Sequence, residues 1–516
     1  VCRPARGTSI ATRGGGASDH RLRIARVNNT GRTTTGESMA TTTQAAQGFP
    51  DLDSLVDRDL ILKWVYWGLF WLMFTPSIGV TISGLFNYPD YLGTSQYLTF
   101  GRLRPMHVNG VIFGAFSTLF IALCYYVVPR LCGVRVWNVQ WGHWLVWVWN
   151  LGLIAGMISL LLGYNQGLEA GEFPLLIDAV IFAVITLITV QLLVTIAQRK
   201  EPQLYVALWY LIGAYVWTVI NLILGSFILP YTITGINSAA FHGLFIHYIV
   251  GLWLTPAGYV LIYYFLPASV RNPIYSHKLS LVGFWSLALF YPFVGIHHYL
   301  YSPIADWAET LAIITSMLLI VPVWTVLQNF FGTMVGRWNT FGQNLTAKFL
   351  IMGSIMYLFG CFQGSTEALR AIQQPTHFSD FVISHSHLTV FGTFVVWAIG
   401  GIVYIVPKLV DRPLWSFKLG NWSFWLITCG ISLMGLDLTA AGLQQGYMLM
   451  AGAEWVDTVV AIRPYWLVRT LAGITMDIGM SLLVYNLMRT VLSPAQAAAP
   501  AARPAPRGPL TQGAPS

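Results

Sequence analysis

The sequence predicts an all-α polytopic membrane protein, a bundle of twelve transmembrane helices. Three observations predict it. Of 516 residues, 55% are hydrophobic and only 9% are charged, whereas a soluble domain carries about 25% charged residues. The apolar residues gather in twelve runs, each near the ~20 residues that cross a bilayer. The connections between the runs alternate between basic and neutral or acidic, as loops on opposite sides of a membrane do. Helices follow because a bilayer does not tolerate unpaired backbone groups. The net charge of +8 belongs to tails and loops, so no nucleic-acid partner is expected and membrane lipid is the surrounding phase.

The runs fall at residues 60–86, 106–128, 141–162, 174–197, 204–229, 240–266, 279–300, 308–331, 346–368, 381–406, 422–443 and 464–488. They form one core, residues 51–492. Before it, residues 1–50 read as a disordered basic tail without the apolar stretch of a signal peptide, and Met39 offers an alternative start. After it, residues 493–516 read as a disordered Pro/Ala-rich tail. Arg130, Arg135, Arg199, Lys200, Arg271, Lys278, Arg337, Lys348, Lys408, Arg412 and Lys418 occupy the even-numbered connections. Glu169, Glu172, Asp306, Glu454 and Asp457 occupy the odd-numbered ones. Both termini are therefore expected in the cytoplasm. Arg102 and Arg104 stand on the wrong side and want another explanation. The cysteines Cys2, Cys124, Cys132, Cys361 and Cys429 form no CxxC or CxxCH, which leaves no site for an attached c-type haem.

The histidines carry the functional signal. His107 opens the second run, His242 and His247 lie early in the sixth, His297 and His298 close the seventh, and His385 and His387 open the tenth. At about 1.5 Å per residue, four helices deliver imidazoles to one layer in the outer part of the membrane. One such histidine is usually a packing residue. Seven in one layer are not, because ionisable groups in a bilayer are costly and usually functional. Imidazole without cysteine clusters suits haem iron and copper. His385 and His387, two residues apart, point about 200° apart on a helix and serve two cofactors on opposite flanks. Adjacent His297 and His298 converge on one metal if the last turn loosens, with a third ligand from another helix.

At these residues the chain resembles the haem-copper oxidase superfamily, and within it subunit I of the cbb3-type cytochrome c oxidases, over about residues 60–490. The matching stretches are GRLRPMH (101–107), HYIVGLWLTPAGY (247–259), YPFVGIHH (291–298), HFSDFVISHSH (377–387) and YNLMRT (485–490). The resemblance implies a haem-copper oxidase bundle that reduces oxygen to water with electrons from cytochrome c and translocates protons. It implies a bacterial cytoplasmic (inner) membrane and membrane-anchored cytochrome c subunits as partners. His107 and His387 would ligate a low-spin haem b, and His385 alone a high-spin haem b3. His247, His297 and His298 would hold copper B. Tyr291 would be the redox tyrosine, cross-linked to the first copper histidine. Arg102, Arg104 and His377 would face haem propionates. Glu172 resembles an acid at a calcium site, the alternative being a surface-loop glutamate.

The family often has a glutamate where this chain has Gln363, while Glu367 lies one turn further on. Ser280, eleven residues before Tyr291, is a candidate for a proton-uptake path, against an ordinary packed serine. Asp437 and Asp477, inside helices, are functional suspects without a role. His242, His20, His143 and His277 are read as non-ligands. The rival within the superfamily is a nitric oxide reductase large subunit, which carries a glutamate where this chain has Gly251. A rival of another class, a secondary transporter built of two repeated halves, finds no such repeat here.

Overall fold

A computed structural model describes residues 52–494. The expected tails, Cys2 and His20 lie outside the described residues, save Ser493 and Pro494. Among the described residues every regular element is helical, and twelve helices are long and apolar enough to span a membrane. They are α1 Arg58–Asn87, α2 Phe100–Cys132, α3 Val139–Leu162, α4 Leu175–Ala197, α5 Val206–Thr232, α6 Gly235–Val270, α7 His277–Tyr299, α8 Asp306–Thr333, α9 Leu345–Glu367, α10 Asp380–Leu409, α11 Phe417–Met450 and α12 Trp455–Leu492. Each matches one predicted run. The α11–α12 hairpin overshoots its prediction, because Gln444, Gln445, Asp457 and Arg463 lower the hydropathy of stretches that remain helical.

Local chemistry starts the helices. Asp57 accepts from the Leu60 amide at 2.9 Å, Ser276 from Leu279 at 3.2 Å, Asn344 from Ala347 at 3.0 Å and Ser416 from Leu419 at 3.1 Å. Each satisfies a donor that a helix start leaves open. The apolar stretch of α2 is wholly buried, and those of α6 and α10 nearly so. These three central helices carry His107, His247, His385 and His387.

The helical ladder changes beside the histidines. Just beyond His107 and His247, and from His387 onward, α2, α6 and α10 widen into π-helix, at Gly110–Ser117, Ile249–Leu254 and His387–Val395. Such bulges concentrate at functional sites. The end of α7 does the opposite. Tyr291–Tyr299 is wound as a 3-10 helix, so the turn holding His297 and His298 tightens where the sequence suggested loosening.

A repeat is present, though not of two halves. Pro129 and Trp137, Pro267 and Tyr275, and Pro407 and Trp415 stand at equal spacing before α3, α7 and α11. The amides of Trp137, Tyr275 and Trp415 donate to the hydroxyls of Thr195, Thr333 and Thr490, at 3.0, 3.2 and 2.9 Å. One turn earlier on the same receiving helices, Gln191, Asn329 and Asn486 bond the same loops. Three helix pairs thus share one form of connection.

Candidate metal centre

His247 comes from α6, and His297 and His298 from the tightened end of α7. Their ligand nitrogens all lie within 4.8 Å of one another. The three ring centres form a near-equilateral triangle, 4.6, 4.7 and 4.7 Å on a side. Two glycines allow it: a Cβ on Gly295 would stand 2.5 Å from the Gly243 carbonyl oxygen, and one on Gly243 would stand 2.9 Å from that of Gly295. Only chains without side chains there bring α6 and α7 this close. The hydroxyl of Ser316, on α8, donates to the Ala312 carbonyl at 2.6 Å. It is therefore an acceptor for His297 Nδ1–H, at 2.7 Å, which leaves His297 Nε2 unprotonated and free to ligate. His247 Nε2 and His298 Nε2 stand 2.6 Å apart. Three converging neutral imidazoles fit a single copper-like ion.

The second constellation lies between α2 and α10. The rings of His107 and His387 have centres 6.2 Å apart and planes inclined by 22°. Two imidazoles bonded end-on to one metal at about 2 Å place their centres roughly 6 Å apart, so the pair fits an iron held from both sides. His107 Nδ1 donates to the Thr75 carbonyl at 2.9 Å, and His387 Nδ1 to that of Ile383 at 2.8 Å. Both bonds leave Nε2 as the free nitrogen. Gly79 makes room, since a Cβ there would come 2.5 Å from His107 Cε1. His385 joins neither group. Its ring lies against Gly364 of α9, where a Cβ would come 2.6 Å from Cε1.

Tyr291 is buried at the start of the 3-10 turn, its ring centre 6.0 Å from that of His247. It occupies the space over Gly251, where a Cβ would stand 1.7 Å from the phenol carbons Cε1 and Cζ. Ser280 is fully buried. Its hydroxyl donates to the His277 carbonyl at 2.7 Å, and its own carbonyl accepts from the Tyr210 hydroxyl at 3.3 Å. Around it the sequence reading missed further buried polar groups. Asn329 donates to the Tyr263 hydroxyl at 3.1 Å, and the hydroxyls of Tyr259 and Tyr357 bond each other.

The residues expected at the haem carboxylates and at calcium have these surroundings. Arg102 donates to the Leu161 carbonyl at 2.8 Å and lies over Tyr97, and Arg104 pairs with Glu169. His377 precedes α10, as the predicted start of the tenth run at residue 381 implies, and Phe378 beside it takes a left-handed conformation, φ 60°. With His298 and Gln373, His377 lines a cavity of about 500 Å³, and burial lowers its affinity for a proton. Glu172 is not a surface glutamate: it is buried and accepts from Asn109 Nδ2 at 2.6 Å. Burial raises its pKa, against the pull of that hydrogen bond. Among the described residues no group of three acids or histidines gathers around it. His242 Nε2 accepts from the Glu169 amide at 2.9 Å, and its ring stacks on Phe245. Gln363 donates to Thr439 at 2.9 Å, and Glu367 is buried. Arg469 of α12, buried, was passed over, although the rule that marks Asp437 and Asp477 marks it equally.

Comparison with known proteins gives one consistent answer. Residues 59–475 match the family model described as cytochrome C and quinol oxidase polypeptide I. A cytochrome c oxidase subunit 1 homolog of Agrobacterium tumefaciens (strain T37) is 31% identical, with 86% of each chain covered. A Cbb3-type cytochrome c oxidase subunit of Stutzerimonas stutzeri is also 31% identical, over 86% of this chain and 96% of the relative. A nitric oxide reductase chain of Stutzerimonas stutzeri matches only 33% of this chain, at 26% identity. A solved heme-copper terminal oxidase dimer superposes with a TM-score of 0.68 at 14% identity, over 85% of this chain and 84% of its own.

Proposed function

From the premise that this multi-pass membrane chain belongs to the cytochrome C and quinol oxidase polypeptide I family, we propose that it is the catalytic subunit of a cbb3-type cytochrome c oxidase, reducing oxygen to water. The observation that carries this reading is the packing of Tyr291 over Gly251 beside the three-histidine triangle. His247, His297 and His298 hold copper. His385 is the one protein ligand of the high-spin haem b3, and His107 and His387 hold the low-spin haem b. When bound, the metals supply electron transfer to oxygen. The protein fixes their spacing, excludes water with the apolar walls of α2, α6 and α10, and presents a phenol. Tyr291 supplies a proton and an electron from its hydroxyl, the contribution a four-electron reduction needs beside the metals.

Protons reach Tyr291 from the cytoplasmic end of α7, past Ser280 with Tyr263 and Asn329 beside it. Arg102, Arg104 and His377 serve haem carboxylates at the outer end, the first two by exchanging their present partners. Glu172 offers a buried carboxylate to calcium. Electrons come from cytochrome c through membrane-anchored cytochrome c subunits, proton translocation accompanies turnover, and the complex sits in a bacterial cytoplasmic membrane with both termini inside. The nitric oxide reductase reading is disfavoured at Gly251, because a glutamate there would stand where the Tyr291 ring is.

The test is Tyr291→Phe in the assembled complex. The ring and its packing stay, so haem and copper contents are expected to hold while oxygen uptake falls by orders of magnitude, since a reacting group and not a contact is lost. Near-wild-type uptake at full metal loading would remove Tyr291 from the chemistry and reopen the reductase reading.

A further inference from the structure

The turn that carries His297 and His298 is gripped from two sides. It is wound as a 3-10 helix, whose hydrogen bonds are poorer than those of an α-helix. Its own ladder therefore fixes the two rings less firmly than an α-helical turn would. One grip is on the ring: His297 Nδ1–H donates to the Ser316 hydroxyl of α8 at 2.7 Å. The other is on the backbone: the Gln373 amide donates to the His297 carbonyl at 3.4 Å. Gln373 is buried and belongs to a short helix, Arg370–Thr376, in the connection between α9 and α10. Two residues past the end of α7, Tyr301 takes a left-handed conformation, φ 68°, a backbone state that persists only where its surroundings hold it. Its hydroxyl donates to the Arg370 carbonyl at 2.6 Å.

Glu309 joins the two grips. It lies on α8 two turns before Ser316 and shares the buried face of that helix with Ala312 and Ser316. It is 4% exposed. Its Oε2 accepts from the Arg370 guanidinium at 3.1 Å, and its Oε1 is buried without a partner among the described residues. A buried carboxylate with one oxygen unsatisfied is costly, and a buried ion pair is weak ground for stability. What the pair supplies is a fixed distance between α8, which holds the His297 ring, and the short helix, which holds its carbonyl. Resting on the assignment of His247, His297 and His298 to copper, we propose that Glu309 and Arg370 are positioning residues. Acting through Ser316 and Gln373, they keep the His297 imidazole turned toward the other two.

The experiment uses the purified complex, with copper affinity read by chelator competition and haem content by the optical spectrum. Glu309→Gln keeps the shape and removes the charge, and Arg370, whose side chain is 45% exposed, can then turn to water. The variant is expected to weaken copper binding about tenfold, the lower end of what losing a partner behind a metal ligand costs, at unchanged haem content. Arg370→Lys keeps the charge and loses the fork, and is expected to retain most of the affinity. Combining Glu309→Gln with Ser316→Ala separates positioning from a general loosening of the fold. Once Ser316 no longer holds the ring, the tie has less to act on, so the double variant should bind copper better than the product of the two losses allows. Wild-type affinity in Glu309→Gln, or losses that multiply in the double variant, would overturn the proposal. If Glu309→Gln fails to assemble, Tyr301→Phe carries the test from the exposed side of the clamp. There a loss of about threefold is expected for one hydrogen bond, and unchanged affinity overturns the proposal. Failure of the copper assignment looks different: His297→Ala would then leave the copper content unchanged.

Discussion

Gly251→Ala is the sharpest perturbation the site offers. The added methyl would lie 1.7 Å from two ring carbons of Tyr291, where carbon atoms pack at about 3.5–4.0 Å. The ring must therefore retreat by about 2 Å, in an interior packed as tightly as a molecular crystal. Overpacking of this kind costs about 1–3 kcal/mol of stability, a modest fall in melting midpoint. The consequence for chemistry is larger. A reacting group displaced by about 1 Å loses on the order of 100-fold in rate, or about 2.7 kcal/mol of barrier. Oxygen uptake by the assembled variant, with haem and copper quantified in the same sample, should fall at least that far. The double variant Gly251→Ala/Tyr291→Phe should be no slower than Tyr291→Phe alone, because both changes remove the same hydroxyl from the same place. If Gly251→Ala turns over at the wild-type rate with full metal loading, the position of the Tyr291 ring does not control the reaction.

Other outcomes follow from the same geometry. Ser316→Ala removes the acceptor that fixes the His297 tautomer and should weaken copper binding about 10- to 100-fold, measured by chelator competition. His107→Ala should abolish the six-coordinate low-spin signal while the high-spin signal persists in optical spectra. Glu172 has a raised pKa in the fold, so the native state binds its proton more tightly than the unfolded chain. Stability then falls as pH rises from the ordinary carboxylate range through the raised value. In calcium-free buffer Glu172→Gln should therefore melt higher than the parent at neutral pH, with the gap closing at acid pH. A gap that persists unchanged at acid pH would contradict the assignment.

The histidine layer was legible because imidazole has no ordinary reason to be repeated at one depth of a bilayer. The spacing of His385 and His387, on opposite flanks of one helix, carried further: in the structure His387 faces His107 while His385 lies against Gly364. The threefold connection was also in the letters, in the recurring Pro and Trp or Tyr before α3, α7 and α11, but a search for two repeated halves looks past it. Arg469 was visible as a charge within an apolar run.

The sequence by itself determined the class of protein, the number of spans and the identity of the helices whose histidines converge. Hydropathy, charge alternation and residue chemistry are properties of single segments in a bilayer, and need no knowledge of neighbours. Tertiary structure alone decided which nitrogens are free to ligate, since the Nδ1 partners of His107 and His297 are Thr75 on α1 and Ser316 on α8. It decided that Glu172 is buried and that Tyr291 fills the space over Gly251. The physical reason is common to all of these. A tautomer, a buried charge or an excluded methyl group is set by atoms a few ångströms away, and in a helical bundle those atoms belong to other helices.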